Sequence, residues 1–261
     1  MKVLVIMGSP RKEGTGSRAV KAIESRLATH GPVQLEVLRL KDANLGQCRG
    51  CFQCISRGEE LCPMRKEIVA VEEMIEAADG VILVSPGYVQ NVSGLMKNFM
   101  DRIAYTNHRP RFFGKKVMIV ANGGSGLAKT LDALRIAIGG PEVVSELEYT
   151  QLPWPMQERS IVKRRADLEK AVDKFYKALQ VKDMRPSFNN YMRFLFLKGA
   201  SVEAKEWLPA DHEFYRDLDR YYYDVDVGMG MRIKASLLMP VAKFFMRGMA
   251  PQRDGADGSD R

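Results

Sequence analysis

Residues 2–17 read KVLVIMGSPRKEGTGS, an apolar run that leads into a loop of glycine, hydroxyl and basic residues. The run Lys2 to Met7 is nearly all apolar, which is typical of a parallel strand buried on both faces. From Thr15 onward, apolar residues recur at helical spacing with charged residues between them. The stretch therefore predicts a strand, a loop and a helix, the opening unit of an α/β domain.

The same alternation of apolar runs and helical patterns continues to about residue 180. The predicted strands are Lys2 to Met7, Val33 to Leu40, Gly80 to Pro86, Lys116 to Ala121 and Val143 to Tyr149. The predicted helices cover residues 15–29, 67–78, 92–104, 127–138 and 161–179. Strands joined by crossover helices indicate a parallel, doubly wound sheet, and right-handed crossovers favour the flavodoxin order 2-1-3-4-5. We therefore predict a flavodoxin-like α/β domain over residues 1–183.

Residues 184–261 form a predicted C-terminal appendage without this rhythm. Residues 184–227 are rich in aromatic side chains, which could cover a cofactor, form a subunit contact or shape a pocket. Met231 to Met249 predicts a basic amphipathic helix interrupted by Pro240, and the polar tail from Gln252 to Arg261 is expected to be disordered. The apolar arc of that helix is expected to pack on the protein or a sister subunit; contact with an anionic membrane surface is the less favoured alternative.

On a helical wheel that arc opposes a narrow sector of polar and basic residues. The arc contains Ile233, Leu237, Leu238, Val241, Phe244 and Phe245. The sector contains Arg232, Ser236, Lys243 and Arg247, and Lys234 breaks the pattern.

The composition restricts the class of protein. Hydrophobic residues make up 46% of the chain and charged residues 28%, so it can bury a core and is not of disordered composition. The net charge of +8 favours acidic partners, but the basic residues show no nucleic-acid-binding signature, and we expect no nucleic-acid partner. The first apolar run is too short for a signal peptide, and no stretch approaches the roughly 18 apolar residues of a spanning helix. We therefore expect a cytoplasmic protein.

The loop of residues 8–17 has the features of a phosphate site. It opens a helix at the carboxyl edge of the predicted sheet, where free N–H groups and the helix dipole favour an anion. Serine and threonine hydroxyls add donors, and Arg11 adds charge-assisted hydrogen bonding. The loop is neither a dinucleotide-binding G-x-G-x-x-G fingerprint nor a Walker A motif. Residues 123–130 approach Walker A, but Ala128 stands where its second glycine is required, so an ATPase is excluded on that motif.

The four cysteines lie in one segment with the spacing C-x2-C-x2-C-x7-C: Cys48, Cys51, Cys54 and Cys62. The three close cysteines and the pair Cys62-Pro63 are similar to a ferredoxin-type ligand run, although that run has a last gap of three residues. A [4Fe–4S] cluster is the favoured interpretation; structural zinc and thiols without metal remain alternatives. The segment lies after the second predicted strand, at the same edge as the phosphate loop.

Residues 85–102, SPGYVQNVSGLMKNFMDR, are the most specific stretch of the sequence. Together with residues 8–17 they resemble the NADPH-dependent FMN reductase family of the flavodoxin-like superfamily. With the cysteine motif added, the chain resembles the iron–sulfur flavoproteins of that family. The resemblance covers residues 1 to about 180.

The resemblance implies a set of FMN-binding positions. The phosphate would be held by Ser9, Arg11, Thr15, Gly16 and Ser17. The isoalloxazine ring would lie beside Pro86, Gly87, Tyr88, Val89 and Asn91, with Gly123 and Gly124 on its other side. No catalytic acid or base is expected, because hydride and electron chemistry belongs to the flavin.

Some residues outside the predicted FMN site are expected to have structural or non-catalytic roles. Asp101 and Arg102 are expected to be a structural or subunit-contact pair, and none of the three histidines is expected to be catalytic. The stretch from Tyr105 to Arg111 is expected to line the mouth of the site. The family also implies a homo-oligomer.

Three functions remain open, beside a regulatory or membrane-docking role that rests on residues 231–249 alone. The first is an FMN-dependent oxidoreductase that passes electrons between a reduced donor, FMN and a [4Fe–4S] cluster. The second is an NAD(P)H-dependent FMN or quinone reductase without a cluster. The third is an electron-transfer protein whose basic surface docks a ferredoxin.

Overall fold

The structure is a computed structural model that describes residues 1–181 and 184–245, with side chains described up to residue 241 in the last helix. The predicted disordered tail, Gln252 to Arg261, and the predicted last part of the basic helix lie outside the described residues. The chain divides into two compact units. One comprises Met1–Cys51 and Cys62–Asp183, and the other comprises Phe52–Leu61 and the chain from Met184. The predicted domain over residues 1–183 stays a prediction, and the segment Phe52–Leu61 groups with the second unit.

The first unit contains the five strands and six of the described helical segments. The strands are β1 (Lys2–Met7), β2 (Gln34–Arg39), β3 (Gly80–Pro86), β4 (Lys116–Gly123) and β5 (Glu142–Thr150). The α-helices are α1 (Thr15–Ala28), α3 (Arg65–Ala77), α4 (Gly94–Arg102), α5 (Leu127–Arg135) and α6 (Glu158–Leu179), and Ala104–Asn107 forms a 3₁₀ turn.

The strands form one parallel sheet in the order β2-β1-β3-β4-β5, which confirms the predicted flavodoxin-like order. Every residue of β3 is buried, as expected of a central parallel strand covered on both faces. Because the strands are parallel, their carboxyl ends meet at one edge. The loops after Met7, Pro86 and Gly123 therefore emerge together.

One hydrophobic core lies between the sheet, α1 and α6. It includes Ile23 and Leu27 of α1 and Val172 and Phe175 of α6, all four of them fully buried. The helices are also joined at the surface by a bidentate ion pair, in which Arg26 donates hydrogen bonds of 2.8 and 2.7 Å to Asp173. That pairing fixes the helix whose first turn faces the carboxyl edge of the sheet.

The second unit is helical. It contains α2 (Gln53–Ser56), a 3₁₀ turn at Glu59–Leu61, α7 (Phe188–Glu203), α8 (Pro209–Arg216) and α9 (Met229–Phe245). Its core contains aromatic side chains from residues 184–227. Phe194 is fully buried, and its ring lies 4.9 Å from the Tyr222 ring, centre to centre. The hydroxyls of Tyr215 and Tyr222 lie 3.0 Å apart, and burial raises the pKa of Tyr222 to about 12. Much of the aromatic segment therefore forms the core of its own unit.

Within the described ranges, no helix combines the length and apolar character needed to cross a membrane.

Candidate FMN site

The β1–α1 loop is fixed to the sheet at Gly8. Its N–H donates to the carbonyl of Val84 on β3 at 2.8 Å, and its carbonyl accepts 2.6 Å from the hydroxyl of Ser93. A Cβ at Gly8 would lie 2.8 Å from Ser93 Oγ and 2.9 Å from Met96 Cβ, so only glycine allows this approach. The loop is thereby joined to the first turn of α4, where the Ser93 hydroxyl also caps the helix by accepting from the Met96 N–H.

The predicted phosphate ligands lie together at the start of α1. The first-turn amides of Thr15, Gly16 and Ser17 have no intrahelical acceptor, and no acidic side chain lies in this turn. Ser9 is buried, and its oxygen accepts 3.3 Å from the Arg11 N–H. The hydroxyl of Ser17 is already engaged with Gly14, whose N–H donates to it at 2.8 Å and whose carbonyl accepts from it at 3.0 Å. Because the Ser17 hydroxyl is engaged, the backbone amide of Ser17 is the group that remains available to bind an anion.

The β3–α4 loop forms a tight turn. Tyr88 and Asn91 exchange backbone hydrogen bonds of 2.9 and 3.0 Å, and Val89 and Gln90 between them adopt φ of 51° and 58°. A two-residue turn with positive φ at both positions normally carries asparagine, aspartate or glycine. Val89 is 99% exposed at the tip, and Tyr88 is 43% exposed. The turn thus exposes to solvent Tyr88 and Val89, two of the residues predicted to contact the isoalloxazine ring.

The base of that turn is close to β4. The Gly87 N–H donates to the Asn122 carbonyl at 2.9 Å, and a Cβ at Gly87 would lie 2.8 Å from Leu127 Cδ2. Gly123, with φ of 155°, follows Asn122, and its carbonyl accepts from Gln151. The structure therefore brings Gly87, Gly123 and Gly124 to the same edge as the phosphate loop, after the buried end of β3 at Pro86.

Asn122 was not among the site residues predicted from the sequence. It is 4% exposed, and no donor among the described residues pairs with its Oδ1. This oxygen lies under the first turn of α1, since a Cβ at Gly16 would be 3.2 Å from it. A buried acceptor without a donor is costly unless a ligand or water supplies one. The signal in the sequence was a polar residue at the end of an otherwise apolar strand.

These residues fit FMN by their donor chemistry. Free amides, hydroxyls and Arg11 at the start of α1 suit the phosphate, and the unpaired Asn122 oxygen suits a donor such as a ribityl hydroxyl. The loops 86–91 and 123–124 present backbone groups and Tyr88 beside them.

The cysteines are divided between the units. Cys48, Cys51 and Cys62 belong to the first unit and Cys54 belongs to the second; no disulfide joins these four described residues. Among the residues that the structure describes, no three histidine, cysteine, aspartate or glutamate side chains form a group able to hold a metal. Four thiols are the right donors for an iron–sulfur cluster.

The first part of the cysteine segment is fixed by α3 and α4. Asn98 accepts 2.9 Å from the Cys48 N–H and donates to the carbonyls of Leu45 and Gly46 at 3.2 Å. Arg102, whose side chain is 1% exposed, donates to the Gly46 carbonyl and to Glu67, each at 2.8 Å. The hydrogen bond from Arg102 lowers the pKa of Glu67, as does the Gly46 N–H. Arg102 therefore has a structural role within the chain.

The prediction for residues 105–111 is wrong in its first part. Tyr105 is 1% exposed and donates to Glu72, and burial raises its pKa above the ordinary value. Thr106 is also buried, and its hydroxyl oxygen accepts 2.9 Å from the Gly139 N–H. The reason is topological: α4 runs back toward the amino ends of the strands, so the residues after it pack at the edge opposite to the site.

A flavodoxin-like sheet with a helix start and two further loops at its carboxyl edge is the arrangement in which α/β proteins of this class bind nucleotides. The sequence profile of the NADPH-dependent FMN reductase family matches residues 1–147, and the chain belongs to that family. The predicted family resemblance is thereby confirmed.

Two curated relatives are called iron-sulfur flavoproteins. That of Archaeoglobus fulgidus is 36% identical over 115 residues, which cover 44% of this chain and 51% of the relative. That of Methanocaldococcus jannaschii is 37% identical over 102 residues, 39% of this chain and 51% of the relative. The chain thus spans about half the length of these relatives.

A solved structure supports the fold. The NAD(P)H:quinone oxidoreductase of Methanothermobacter marburgensis has a TM-score of 0.52 and 14% identity, and the match covers 66% of this chain and 95% of that one. At this identity the likeness concerns the fold alone.

Proposed function

We propose that this protein is an FMN-dependent oxidoreductase that takes reducing equivalents from NAD(P)H. The observation that carries the proposal is the convergence at one edge of the sheet of the α1 first turn, the 86–91 turn and the buried, unpaired oxygen of Asn122. Membership of the NADPH-dependent FMN reductase family supports the donor. When bound, FMN supplies hydride acceptance and one- or two-electron transfer.

The chain's own groups would bind and orient that cofactor. The α1 amides, Ser9 and Arg11 would hold the phosphate, and the helix dipole would favour its charge. The strained turn of Val89 and Gln90 would place backbone groups and the Tyr88 ring beside the isoalloxazine. The glycines at 87 and 123 let the β3 and β4 loops pack closely on Leu127 of α5, which would hold both loops in place beside the ring.

The experiment has two measurements on the purified full chain. Bound flavin is released and identified by chromatography, and oxidation of NADH and of NADPH is followed at steady state with a quinone as acceptor. We expect about one FMN per chain and turnover that depends on it. Absence of FMN binding after incubation with excess FMN would overturn the proposal, and FMN binding without NAD(P)H turnover would instead indicate an electron-transfer protein, for which a ferredoxin is the predicted partner.

We further propose that the four cysteines bind a [4Fe–4S] cluster. Their spacing and the names of the two relatives support this, although no metal-holding group of three side chains is found among the described residues. Iron and acid-labile sulfide are measured in anaerobically purified protein and normalised to FMN. About four of each per chain is expected for the cluster, and zero of each after reconstitution would contradict it.

A second candidate function is an NAD(P)H-dependent reductase without a cluster. The observation in its favour is that the cysteines are split between the units and that no metal-binding group forms among the described residues. A variant with all four cysteines changed to serine separates the candidates: full quinone reductase turnover favours the cluster-free enzyme. The homo-oligomeric state and the cytoplasmic location stay predictions.

A further inference from the structure

The last described helix, α9, presents an apolar stripe to solvent. One side of the helix packs on the aromatic core through Ala235, which is fully buried, and Met231. The other side carries Met229, Ile233, Leu237 and Val241, which are 76%, 54%, 71% and 53% exposed. These residues are four positions apart and so lie along one face. The four exposed side chains thus form an apolar stripe along the helix.

The exposed stripe includes residues of the apolar arc that the sequence predicts. The predicted apolar arc included Ile233, Leu237, Leu238 and Val241, and all four are exposed. Phe244 and Phe245 lie outside the described side chains, as do Lys243 and Arg247 of the predicted basic sector. Within its own unit, the small side chain of Ala235 makes the buried contact and the arc does not. Packing of the arc on a sister subunit stays a prediction.

The charged residues of the α9 segment have one sign. Between Asp226 and Asp254 the sequence contains five basic residues and no acidic residue. Arg232 and Lys234 are exposed, and helical spacing places them on opposite sides of the stripe. Lys234 also lies over the Phe188 ring, with its Nζ 4.5 Å from the ring centre. The helix therefore has an exposed apolar face with basic flanks.

We propose that α9 docks on an anionic membrane surface, with its apolar stripe at the boundary of headgroups and acyl chains. Exposed apolar area and basic flanks are the two features that bind an interfacial helix to anionic lipid. A second copy of this chain is disfavoured as the occupant, because a two-fold contact through this face would bring the like charges of both copies together. A single convex helix face also suits a planar surface better than it suits a peptide, which needs a groove.

The test is co-sedimentation of the full chain with vesicles. One set contains phosphatidylcholine alone, and the other contains about one-third phosphatidylglycerol, at low and high salt. We expect binding to the anionic vesicles, weakened by salt, and little binding to the neutral ones. Equal binding to both sets would overturn the proposal.

Two kinds of variant identify the surface. Ile233→Ser with Leu237→Ser removes two stripe residues, and we expect vesicle affinity to fall about tenfold or more. Arg232→Ala and Lys234→Ala should each weaken binding about fivefold, which is the ~1 kcal/mol per basic residue at an anionic surface expressed as a ratio. The matched control is Val162→Ser with Val202→Ser, at positions 58% and 59% exposed on α6 and α7, and it should bind as the parent does.

Other results count against membrane docking. A stripe variant that sediments like the parent protein would show that another surface binds lipid. A dimer that light scattering detects in the parent, and that the stripe variant loses, would make a second copy the occupant if vesicles are not bound. Binding to polyglutamate without binding to anionic vesicles would indicate an acidic protein partner instead. Melting temperature and FMN content are compared in every variant, so that loss of folding is recognised.

Discussion

Asn98 Oδ1 accepts a 2.9 Å hydrogen bond from the backbone N–H of Cys48, and this bond joins the cysteine segment to the helix that follows the 86–91 turn. The same side chain donates to two carbonyls just before Cys48. One amide thus holds three backbone groups of a loop that has no regular structure of its own between Leu45 and Cys48.

We predict that Asn98→Ala increases the reactivity of Cys48 without unfolding the protein. The three backbone groups lose their partner, so the loop opens more often and exposes the thiol. The rate of modification by a chromogenic disulfide, with peptide mapping to assign the site, should rise several-fold at Cys48. Asn98→Asp keeps the acceptor but loses both donors, so its modification rate at Cys48 should lie between the rates of the parent and of Asn98→Ala. Asn189→Ala, at an exposed position, is the control, and an unchanged rate at Cys48 in Asn98→Ala would contradict the prediction.

We predict that Asn122→Ala separates cofactor affinity from stability. The unpaired Oδ1 contributes nothing favourable to the protein without FMN, so its removal should leave the free energy of unfolding unchanged or slightly raised. FMN affinity should fall by about 5- to 30-fold, the equivalent of ~1–2 kcal/mol for one buried hydrogen bond. Fluorescence titration of the apoprotein with FMN gives the affinity, and urea unfolding gives the stability. Unchanged FMN affinity would show that this oxygen does not contact the cofactor.

We predict that Val89→Asn stabilises the apoprotein. A β-branched residue at φ of 51° is strained, whereas asparagine adopts this region readily. The gain should be about 0.5–1 kcal/mol in urea unfolding. Val89→Ala serves as the comparison, since alanine keeps the disfavoured φ and should gain less. Equal stability of all three proteins would mean that the turn relaxes in solution.

We predict that the ion pair between Arg26 and Asp173 contributes to the acid sensitivity of the fold. The hydrogen bond from Arg26 holds the pKa of Asp173 well below its usual range, with His30 as a second partner. A carboxylate with a lowered folded-state pKa stabilises the protein fully above its unfolded pKa of about 3.9, and this contribution is lost as the pH falls toward the folded value.

The measurement compares the parent with Asp173→Asn in urea unfolding between neutral and acidic pH. The parent should be the more stable at neutral pH, and the difference should shrink as the pH falls below about 4. Asp167→Asn is the matched control, because its partner Lys163 is 76% exposed on the same helix and such pairs contribute little. A difference that does not depend on pH would exclude the carboxylate charge as the cause.

The sheet was predictable from the sequence because its signals are local. The runs Lys2–Met7 and Gly80–Pro86 are nearly all apolar, and the structure gives both strands these bounds. The predicted helix at 67–78 is observed at Arg65–Ala77, so its position is confirmed to within two residues. Periodicity identifies such elements, since each buries a face that the sequence itself marks.

Parts of the site and of the appendage depend on contacts between distant residues, which periodicity does not report. In the sequence, Asn122 resembles an ordinary turn residue. Only the structure shows that its side chain lies under the first turn of α1. The side of α9 that packs is set by Ala235, a residue too small to stand out in an apolar pattern. The structure also assigns Gln53–Ser56 to a short helix beside α8, whereas the sequence indicated only a loop. The FMN-binding roles of the loop residues stay predictions.

Because Phe52–Leu61 belongs to the second unit, the protein cannot be truncated or fused simply at the end of the first unit. α2 packs on α8, and a Cβ at Gly58 would lie 3.9 Å from the Cβ of Ala210. A version ending near residue 183 would keep α2 but lose the surface on which it rests. The helical unit therefore cannot be removed as an independent domain. Deleting it, or transferring it to another protein, would also alter the chain between Cys51 and Cys62.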